Sequence, residues 1–180
     1  ADLDGNGVID ANDQDWIYNP VPDFNWGLNV SLGYKNFDLT MFFQGVCGVD
    51  VYNNQKFQTD FWSLTDAGSN KGNRLLGAWT ADNTSSSIPA LTTNNTGDEG
   101  RASSYFVEHG NWMKMRSLQV GYNLSDSLLK KLRMTSARVY VSGQNLFTWK
   151  SSSFTISDPE NPNWAYPHSS SVSFGLQLSF

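Results

Sequence analysis

Apolar and polar residues alternate at every second position in several stretches, and this pattern limits the possible folds more than any other feature. In the clearest stretch, one phase holds Trp26, Leu28, Val30, Leu32 and Tyr34, and the other holds Asn25, Gly27, Asn29, Ser31 and Gly33. Successive side chains of a β-strand point to opposite faces, so the pattern predicts a strand with one apolar and one small polar face. Helical periodicity is nearly absent, and we therefore predict an all-β chain.

The same alternation recurs in further stretches that run from Phe37 to Gln44, Trp112 to Leu124, Ala137 to Trp149 and Ser171 to Phe180. Lys35 and Asn36 separate the first two strands and predict a tight hairpin. In the third strand the phase changes near Arg116 and Ser117, which predicts a β-bulge. The pattern thus predicts five strands, with a possible helical turn between Ser125 and Ser136.

Two kinds of protein show such strands, an outer-membrane β-barrel and a soluble β-sandwich. The polar faces here carry Ser, Asn, Gly, Gln and Thr, whereas a solvated sheet face carries Lys and Glu. Only 16% of the residues are charged, and 14% are aromatic. Long and short connections also alternate, as in membrane barrels. These features favour a barrel segment. Because the smallest membrane barrels need about eight strands, the other strands must come from a longer polypeptide or from other chains.

The strand pattern divides the chain into six segments. They are a loop over 1–23, a hairpin over 24–51, a long loop over 52–111, a hairpin with a shorter connection over 112–149, a loop over 150–170 and a last strand over 171–180. On the strands, Trp26, Leu28, Val30, Leu32, Phe174, Leu176 and Leu178 are predicted to face lipid, and Asn29, Ser31, Thr40, Gln44 and Gln177 to face the lumen. Rings near the strand ends are predicted to form interfacial girdles, namely Trp26, Tyr34, Trp112, Tyr122 and Phe180.

Composition excludes several other classes of protein. The net charge of −5, without clustered Lys and Arg, argues against nucleic-acid binding. The single cysteine, Cys47, cannot form an internal disulfide. No apolar run approaches the ~18 residues of a membrane helix, so any membrane role must use strands. The first residues are not a signal peptide, and a secreted protein of this sequence would be the processed or cut end of a longer precursor.

Residues 2–13 fit a twelve-residue calcium loop, with oxygen ligands at alternate positions and a glycine at the sixth. The predicted ligands are Asp2, Asp4, Asn6, the Val8 carbonyl, Asp10 and Asp13. Asp13 replaces the usual bidentate glutamate and has a shorter reach. The alternative is a turn of Asp, Asn and Gly residues that binds no metal. Calcium is the one cofactor that the sequence suggests.

Other candidate sites are weaker. The long loop combines rings with hydrogen-bonding side chains, which suit a glycan or peptide, although ordinary surface loops have the same composition. The residues predicted to bind substrate are Trp62, Trp79, Gln44 and Asn145. Phe180 is either the last ring of a strand or a signal for barrel insertion. Asp158 and Glu160 flank Pro159 but are a weak signal for a glycosidase pair, and the two histidines have no recognisable partner. We expect no enzyme activity.

Several motifs together point to one family. They are Asp4-Gly5-Asn6-Gly7-Val8-Ile9-Asp10, Pro22-Asp23-Phe24-Asn25-Trp26-Gly27, Tyr34-Lys35-Asn36-Phe37-Asp38-Leu39, Phe43-Gln44-Gly45, Trp79-Thr80 with Ile88-Pro89, the stretch from Trp112 to Tyr122, the stretch from Val139 to Thr148, Asp158-Pro159-Glu160, Tyr166-Pro167 and the stretch from Phe174 to Phe180. In this order they resemble the SusC/RagA-type TonB-dependent outer-membrane transporters, which import glycans or peptides. No single motif would be specific, but their order covers nearly the whole chain.

The resemblance implies that these are the last five antiparallel strands of a barrel of about 22 strands, whose lumen holds a plug that lies outside this sequence. It implies a multi-pass β-barrel in the bacterial outer membrane, with the calcium-type loop and the two long loops outside the cell and the short connection in the periplasm. The implied partners are a SusD-like surface lipoprotein, TonB acting through the plug, the remainder of the barrel, lipid, and a glycan or peptide ligand.

Two alternatives stay open at this point. One is a soluble, calcium-stabilised β-sandwich that binds carbohydrate. The other is a fragment of a degradative enzyme that uses Asp158 and Glu160. The sequence also departs from the family at His168-Ser169-Ser170-Ser171, where the family often carries an arginine before the last strand, so that an ion pair there is in doubt.

Overall fold

The computed structural model describes residues 2–8, 10–61, 70–91, 101–161 and 166–180. Trp62, one of the residues predicted to bind substrate, lies outside these ranges. The strands are β1 (Phe24–Tyr34), β2 (Phe37–Cys47), β3 (Asp50–Tyr52), β4 (Val107–His109), β5 (Trp112–Asn123), β6 (Ser136–Lys150) and β7 (Ser171–Ser179). The α-helices are α1 (Asn54–Asp60) and α2 (Asp126–Leu132), and short 3-10 helices cover Ala11–Asp13, Asn73–Gly77 and Ser104–Phe106. Within the described ranges, no helix has the length and apolar character needed to cross a membrane.

Five long strands form one sheet in the order β1-β2-β5-β6-β7, and every neighbouring pair is antiparallel. The short strands β3 and β4 form the other sheet within the described residues. The prediction of an all-β segment with five antiparallel strands is therefore confirmed. A sandwich needs a second large sheet packed on the first, and the described part of the chain contains none.

Local sequence explains the connections of the large sheet. Tyr34 pairs with Phe37 across a two-residue turn in which Lys35 has a φ of 53°, as a tight hairpin requires. In β5, Ser117 lies opposite Phe42 and Met115 opposite Phe43, so Arg116 is the extra residue of a bulge. The predicted hairpin and bulge are both confirmed, and α2 occupies the connection in which a helical turn was expected.

The pairing register gives the large sheet two unlike faces. One cross-strand row, made only of apolar residues, is Leu32, Leu39, Val120, Val141 and Phe174. The adjacent row on the opposite face is Ser31, Thr40, Gln119, Ser142 and Ser173. We call these the apolar face and the polar face. On the apolar face Phe174 is 82% exposed and Leu176 is 62% exposed. So large an apolar surface marks a face that contacts lipid or protein.

The assignment of Trp112, at the start of β5, to an interfacial girdle was wrong. Trp112 shares its phase with Lys114, whose Nζ lies 5.8 Å from the Trp112 ring centroid, so Trp112 belongs to the polar face. On the apolar face the corresponding ring is Trp149, which lies opposite Met113 and stacks on Phe147 with ring centroids 5.9 Å apart. The bulge at Arg116 separates the two halves of β5, and the rings were assigned without following the phase through it.

Contacts divide the chain into two compact units. The first comprises Ala1–Pro20 and Val51–Val107, and the second comprises Val21–Asp50 and Glu108–Phe180. In the first unit, rings pack around Phe106, which is fully buried, and they are Tyr52, Phe57, Phe61 and Tyr105. Beside them the buried Asp60 accepts a hydrogen bond of 2.8 Å from the Tyr105 hydroxyl and lies 3.4 Å from Arg74 Nε. The second unit contains the large sheet.

Gly175 in β7 provides a test of packing on the polar face. A Cβ atom at Gly175 would overlap the Tyr140 ring, whereas a Cβ atom at Gly33 in β1 would meet nothing within 4 Å. We expect Gly175→Val to lower the free energy of unfolding by about 1 to 3 kcal/mol, as overpacking does. Gly33→Val is the matched control and should be neutral or slightly stabilising, because valine suits a strand. Urea unfolding of the full-length protein in lipid vesicles measures both, and equal effects would contradict the packing.

Candidate functional site

The bulge in β5 brings two cations onto the polar face. Lys114 lies opposite Gln44 and Thr148, and Arg116 is the bulged residue that follows. Without the bulge the phase would continue along β5 and the residues after Arg116 would be on the wrong faces. The extra residue keeps Lys114 and Arg116 on the same side as Ser117 and Gln119. The polar face thus carries a positive centre near the start of β5.

A segment after β6 supplies the opposite charge. We call residues 151–161 the strap. It forms no strand and has turns at 152–153 and 159–160, and between these turns the buried Phe154, Ile156 and Asp158 alternate with exposed residues. At Thr155, the backbone N–H and the hydroxyl donate to the Glu108 carboxylate at 2.8 and 2.7 Å. This alternation directs the carboxylate of Asp158 inward with the two apolar side chains.

The strap and the sheet meet in a network of charges that we call the clamp. Lys114 Nζ donates to Asp158 Oδ1 at 2.6 Å and to Glu160 Oε2 at 2.7 Å. Arg116 Nη2 donates to Glu160 Oε1. The Lys114 and Asp158 side chains are only 3% and 4% exposed. Two positive and two negative charges therefore neutralise one another, and the Lys114–Asp158 pair is buried while Arg116 and Glu160 are partly exposed.

His168 closes the clamp on its more exposed side. Its backbone N–H donates to Asp158 Oδ2 at 2.8 Å, and its Nδ1 lies 2.8 Å from the same oxygen. An ion pair was in doubt at this position because the family's arginine is missing, and the structure places an imidazole against Asp158 instead. Asp158, Glu160 and His168 are also close enough to bind a metal. However, the Lys114 ammonium already bridges the two carboxylates, so a further cation would be repelled.

Both carboxyl groups of the clamp are held ionised. Burial acts to raise the pKa of Asp158, but hydrogen bonds from the His168 N–H, from Lys114 and from the Glu160 N–H outweigh it and hold that pKa well below its ordinary value. Burial likewise acts to raise the pKa of Glu160, and Lys114 and Arg116 lower it. A glycosidase needs one carboxyl group that keeps its proton at neutral pH. Asp158 and Glu160 are thus poorly suited to acid–base catalysis.

Two residues predicted to bind substrate belong to the clamp. Gln44 Oε1 accepts a hydrogen bond of 2.9 Å from Arg116 Nε. Asn145, with a φ of 50°, lies opposite the bulge, and its side-chain Oδ1 accepts a hydrogen bond of 3.5 Å from Arg116 Nη1. Ligand binding by Gln44 and Asn145 stays a prediction. The sequence did not indicate that Lys114 and Arg116 pair with Asp158 and Glu160, although isolated charges in otherwise uncharged strands were a usable signal.

The other predicted site residues are not members of the clamp. Trp79 is in the first unit, where its backbone N–H donates to the Ile88 carbonyl at 2.9 Å, and its side chain is partly exposed. Phe180 follows the end of β7 and is exposed. Nothing in these positions tests a role in ligand binding or in barrel insertion.

The calcium-type loop brings together three of its four predicted carboxylate ligands. Carboxylate oxygens of Asp2, Asp4 and Asp13 lie within 4.8 Å of one another. Asp10 is not in this group, because its side chain caps the 3-10 helix Ala11–Asp13 through the Asn12 N–H at 2.7 Å. The side chain of Asn6 bonds to Asp4 at 3.0 Å through its amide nitrogen. Hard oxygen donors at this spacing fit the chemistry of calcium.

Backbone N–H groups prepare the loop for negative charge. The Gly7 N–H, at 2.8 Å, is the main cause that lowers the pKa of Asp2. The Asp10 N–H, also at 2.8 Å, is the main cause that lowers the pKa of Asp13. Both carboxylates are therefore ionised at neutral pH, as metal ligands must be.

Comparison with known proteins gives relatives at the level of sequence and of fold. No protein-family model matches the chain. TonB-dependent receptor P3 of Formosa agariphila is 34% identical over 199 residues, which cover 100% of this chain and 18% of the receptor. TonB-dependent receptor P26 of the same organism is 27% identical over 194 residues, with 99% and 19% covered.

Solved structures of the RagAB peptide importer resemble this chain in fold. In its closed-closed state a chain superimposes with a TM-score of 0.71 and 25% identity, covering 97% of this chain and 20% of the importer chain. In the open-open state the TM-score is 0.70 with 26% identity, and 89% and 17% are covered. The resemblance to the SusC/RagA-type TonB-dependent transporters is confirmed.

Our chain spans about a fifth of the length of these relatives, so it corresponds to one segment of a SusC/RagA-type protein. The large sheet matches part of the β-structure of the RagAB chain. The named relatives are receptors and importers, in keeping with the expectation that the chain is not an enzyme. In SusC/RagA terms, the clamp joins three wall strands, β2, β5 and β6, to the segment that follows β6.

Proposed function

We propose that this chain is part of the barrel wall of a TonB-dependent importer in the bacterial outer membrane. The observation that carries the proposal is the pair of unlike faces on one antiparallel sheet that superimposes on a RagAB chain. The apolar face would contact lipid and the polar face would line the interior. The unpaired edges of β1 and β7 would continue into the remainder of the same barrel.

We further propose peptides as the imported cargo, with glycans as the alternative. Support for peptides comes from the RagAB structures, which are of a peptide importer. A SusD-like surface lipoprotein would cover the barrel on the outside, and TonB would act through a plug outside this sequence. The calcium-type loop and the long loops would lie outside the cell, and the α2 connection would lie in the periplasm.

Growth of the source bacterium tests this function. A strain that lacks the gene encoding the full-length protein should grow normally on free amino acids and poorly on an oligopeptide mixture as the only nitrogen source. Normal growth on peptides together with poor growth on a glycan would show that the cargo is a glycan and not a peptide. Affinity purification of the tagged full-length protein from detergent-solubilised outer membranes should recover a surface lipoprotein in equal amount. Recovery of the protein from the soluble fraction would overturn the proposal that it is part of an outer-membrane importer.

The soluble β-sandwich is less well supported as a second candidate. Its specific requirement is a sheet whose apolar face is covered by another sheet. The apolar face here is exposed across the described part of the chain, with Leu32, Val141 and Phe174 open to the surroundings. A lipid boundary accounts for that exposure directly.

We propose that the loop over residues 2–13 binds calcium through Asp2, Asp4 and Asp13. Isothermal titration of the full-length protein with calcium should show binding that disappears in the Asp13→Asn variant. Asp15→Asn is the matched control, because Asp15 is an acidic neighbour outside the cluster whose carboxylate bonds to the Trp16 N–H at 2.7 Å. Equal binding by both variants, or no binding by the unmodified protein, would overturn the proposal.

A further inference from the structure

We infer that the strap is a fixed constriction on the polar face, and that the clamp, by holding it there, sets an upper limit on the size of the cargo. The inference rests on the proposed function, in which the polar face lines the interior. Four observations carry it: the depth of the clamp, its balance of charge, its burial, and a second set of contacts that hold the strap before the clamp.

Depth comes from the position of the two cations along β5. Lys114 is the third residue of the strand and Arg116 is the fifth. At about 3.4 Å per residue, their attachment points lie about 7 to 14 Å from the end of the strand. The strap leaves the sheet at Ser151, whose N–H donates to the Asn111 carbonyl at 2.9 Å, next to the first residue of β5. It therefore turns back along the polar face and does not project away from the sheet.

Charge balance explains why the strap would stay in place. Lys114 and Arg116 provide two positive charges, and Asp158 and Glu160 provide two negative ones. If the strap moved away, the buried Lys114 ammonium would lose both carboxylates that neutralise it. Separating a buried ion pair is strongly unfavourable. A loop that swings freely during transport would not be fastened in this way.

Apolar burial and further hydrogen bonds reinforce the attachment. Phe154 and Ile156 are 2% and 0% exposed. Lys150 Nζ donates to the Ile156 carbonyl, and the Glu108 carboxylate accepts two hydrogen bonds from Thr155. Among the described residues, no buried side-chain polar atom lacks a hydrogen-bond partner. The strap is therefore held by contacts before the clamp as well as within it.

Hydrogen exchange of the full-length protein in detergent micelles tests the attachment. In the Lys114→Met variant, the backbone amides of Thr155, Glu160 and His168 should exchange at least about tenfold faster than in the unmodified protein. Arg138→Met is the control, because it removes the other ion pair of the polar face, formed with Asp38, and should leave these amides unchanged. Unchanged exchange in Lys114→Met would overturn the inference.

A second variant covers the case in which Lys114→Met fails to fold. The double variant Arg116→Met/Glu160→Met removes one positive and one negative charge together, so that Lys114 and Asp158 still neutralise each other. In this variant the backbone amides of position 160 and of His168 should exchange several-fold faster, and the protein should still reach the membrane. If this variant folds and its exchange is unchanged, Arg116 and Glu160 do not hold the strap, and the proposed clamp of four charges is contradicted.

Cargo size is measured with two fluorescent peptides of the same composition, one short and one several times longer. With the strap released, uptake of the long peptide relative to the short one should rise at least about threefold in cells that carry either variant. An unchanged ratio despite faster exchange would overturn the size limit. If the unmodified protein takes up neither peptide, the proposal that peptides are the cargo is contradicted. The comparison of hydrogen-exchange rates still decides whether the clamp holds the strap.

Discussion

Arginine in place of Phe174 is expected to prevent the full-length protein from accumulating in the outer membrane. Phe174 lies near the middle of β7 on the apolar face, opposite Val141, and is 82% exposed. If this face contacts lipid, an arginine at mid-membrane depth costs about 2 to 4 kcal/mol. That is a large part of the stability of an ordinary domain, about 5 to 15 kcal/mol. The amount of folded protein in isolated outer membranes, and urea unfolding in lipid vesicles, measure the effect.

Ser173→Arg is the matched control for this substitution. Ser173 is the preceding residue of the same strand, lies opposite Ser142 and belongs to the polar face. Its arginine would lie in the polar interior of the barrel, and we expect nearly normal amounts of protein. Equal loss for the two variants would show that the position in the strand matters and the face does not. Equal tolerance would remove the assignment of the apolar face to lipid.

The strands, and the face of the sheet on which each side chain lies, were predictable because the alternation of apolar and polar residues is a local property of the sequence. In β1 the alternation runs without interruption from Trp26 to Tyr34, and the structure pairs each of these residues with β2 in a continuous register. The bulge at Arg116 was also predictable, since it shifts the phase within a single strand. The girdle ring was assigned wrongly at Trp112, because a ring near a strand end says nothing about its face until the phase is followed.

The clamp could not be predicted because its partners are distant in sequence. Lys114 and Asp158 are separated by 44 residues, and their pairing depends on the path of the strap back along the sheet. The sequence predicted only a loop over 150–170, and a loop assignment does not specify the surface against which the segment packs. The calcium-type loop is different, since all of its predicted ligands lie within twelve consecutive residues, and the structure brings three of them together.

Removal of the charge on Asp158 is expected to have the second large effect. Asp158 accepts hydrogen bonds from Lys114 Nζ at 2.6 Å, from the His168 N–H at 2.8 Å and from the Glu160 N–H at 3.1 Å. In Asp158→Asn an amide group would face several donors, and Lys114 would keep only Glu160. Since breaking a buried ion pair costs about 3 to 5 kcal/mol, we expect a loss of about 3 kcal/mol in the free energy of unfolding at pH 7.

The pH dependence of that loss identifies its electrostatic origin. The pKa of Asp158 and the pKa of Glu160 are both lowered in the folded protein, so their contribution is complete above the ordinary carboxyl value of about 4 and is lost as the pH falls through the lower, folded values. The contribution of these two carboxylates to the free energy of unfolding, measured with urea in vesicles, should therefore be constant from pH 8 to about pH 5. The difference in free energy of unfolding between the unmodified protein and Asp158→Asn should narrow below about pH 4. A His168→Gln background removes the imidazole that contacts Asp158. A difference that is independent of pH down to about pH 2 would mean that Asp158 stabilises the strap by packing, and the clamp would then not be electrostatic.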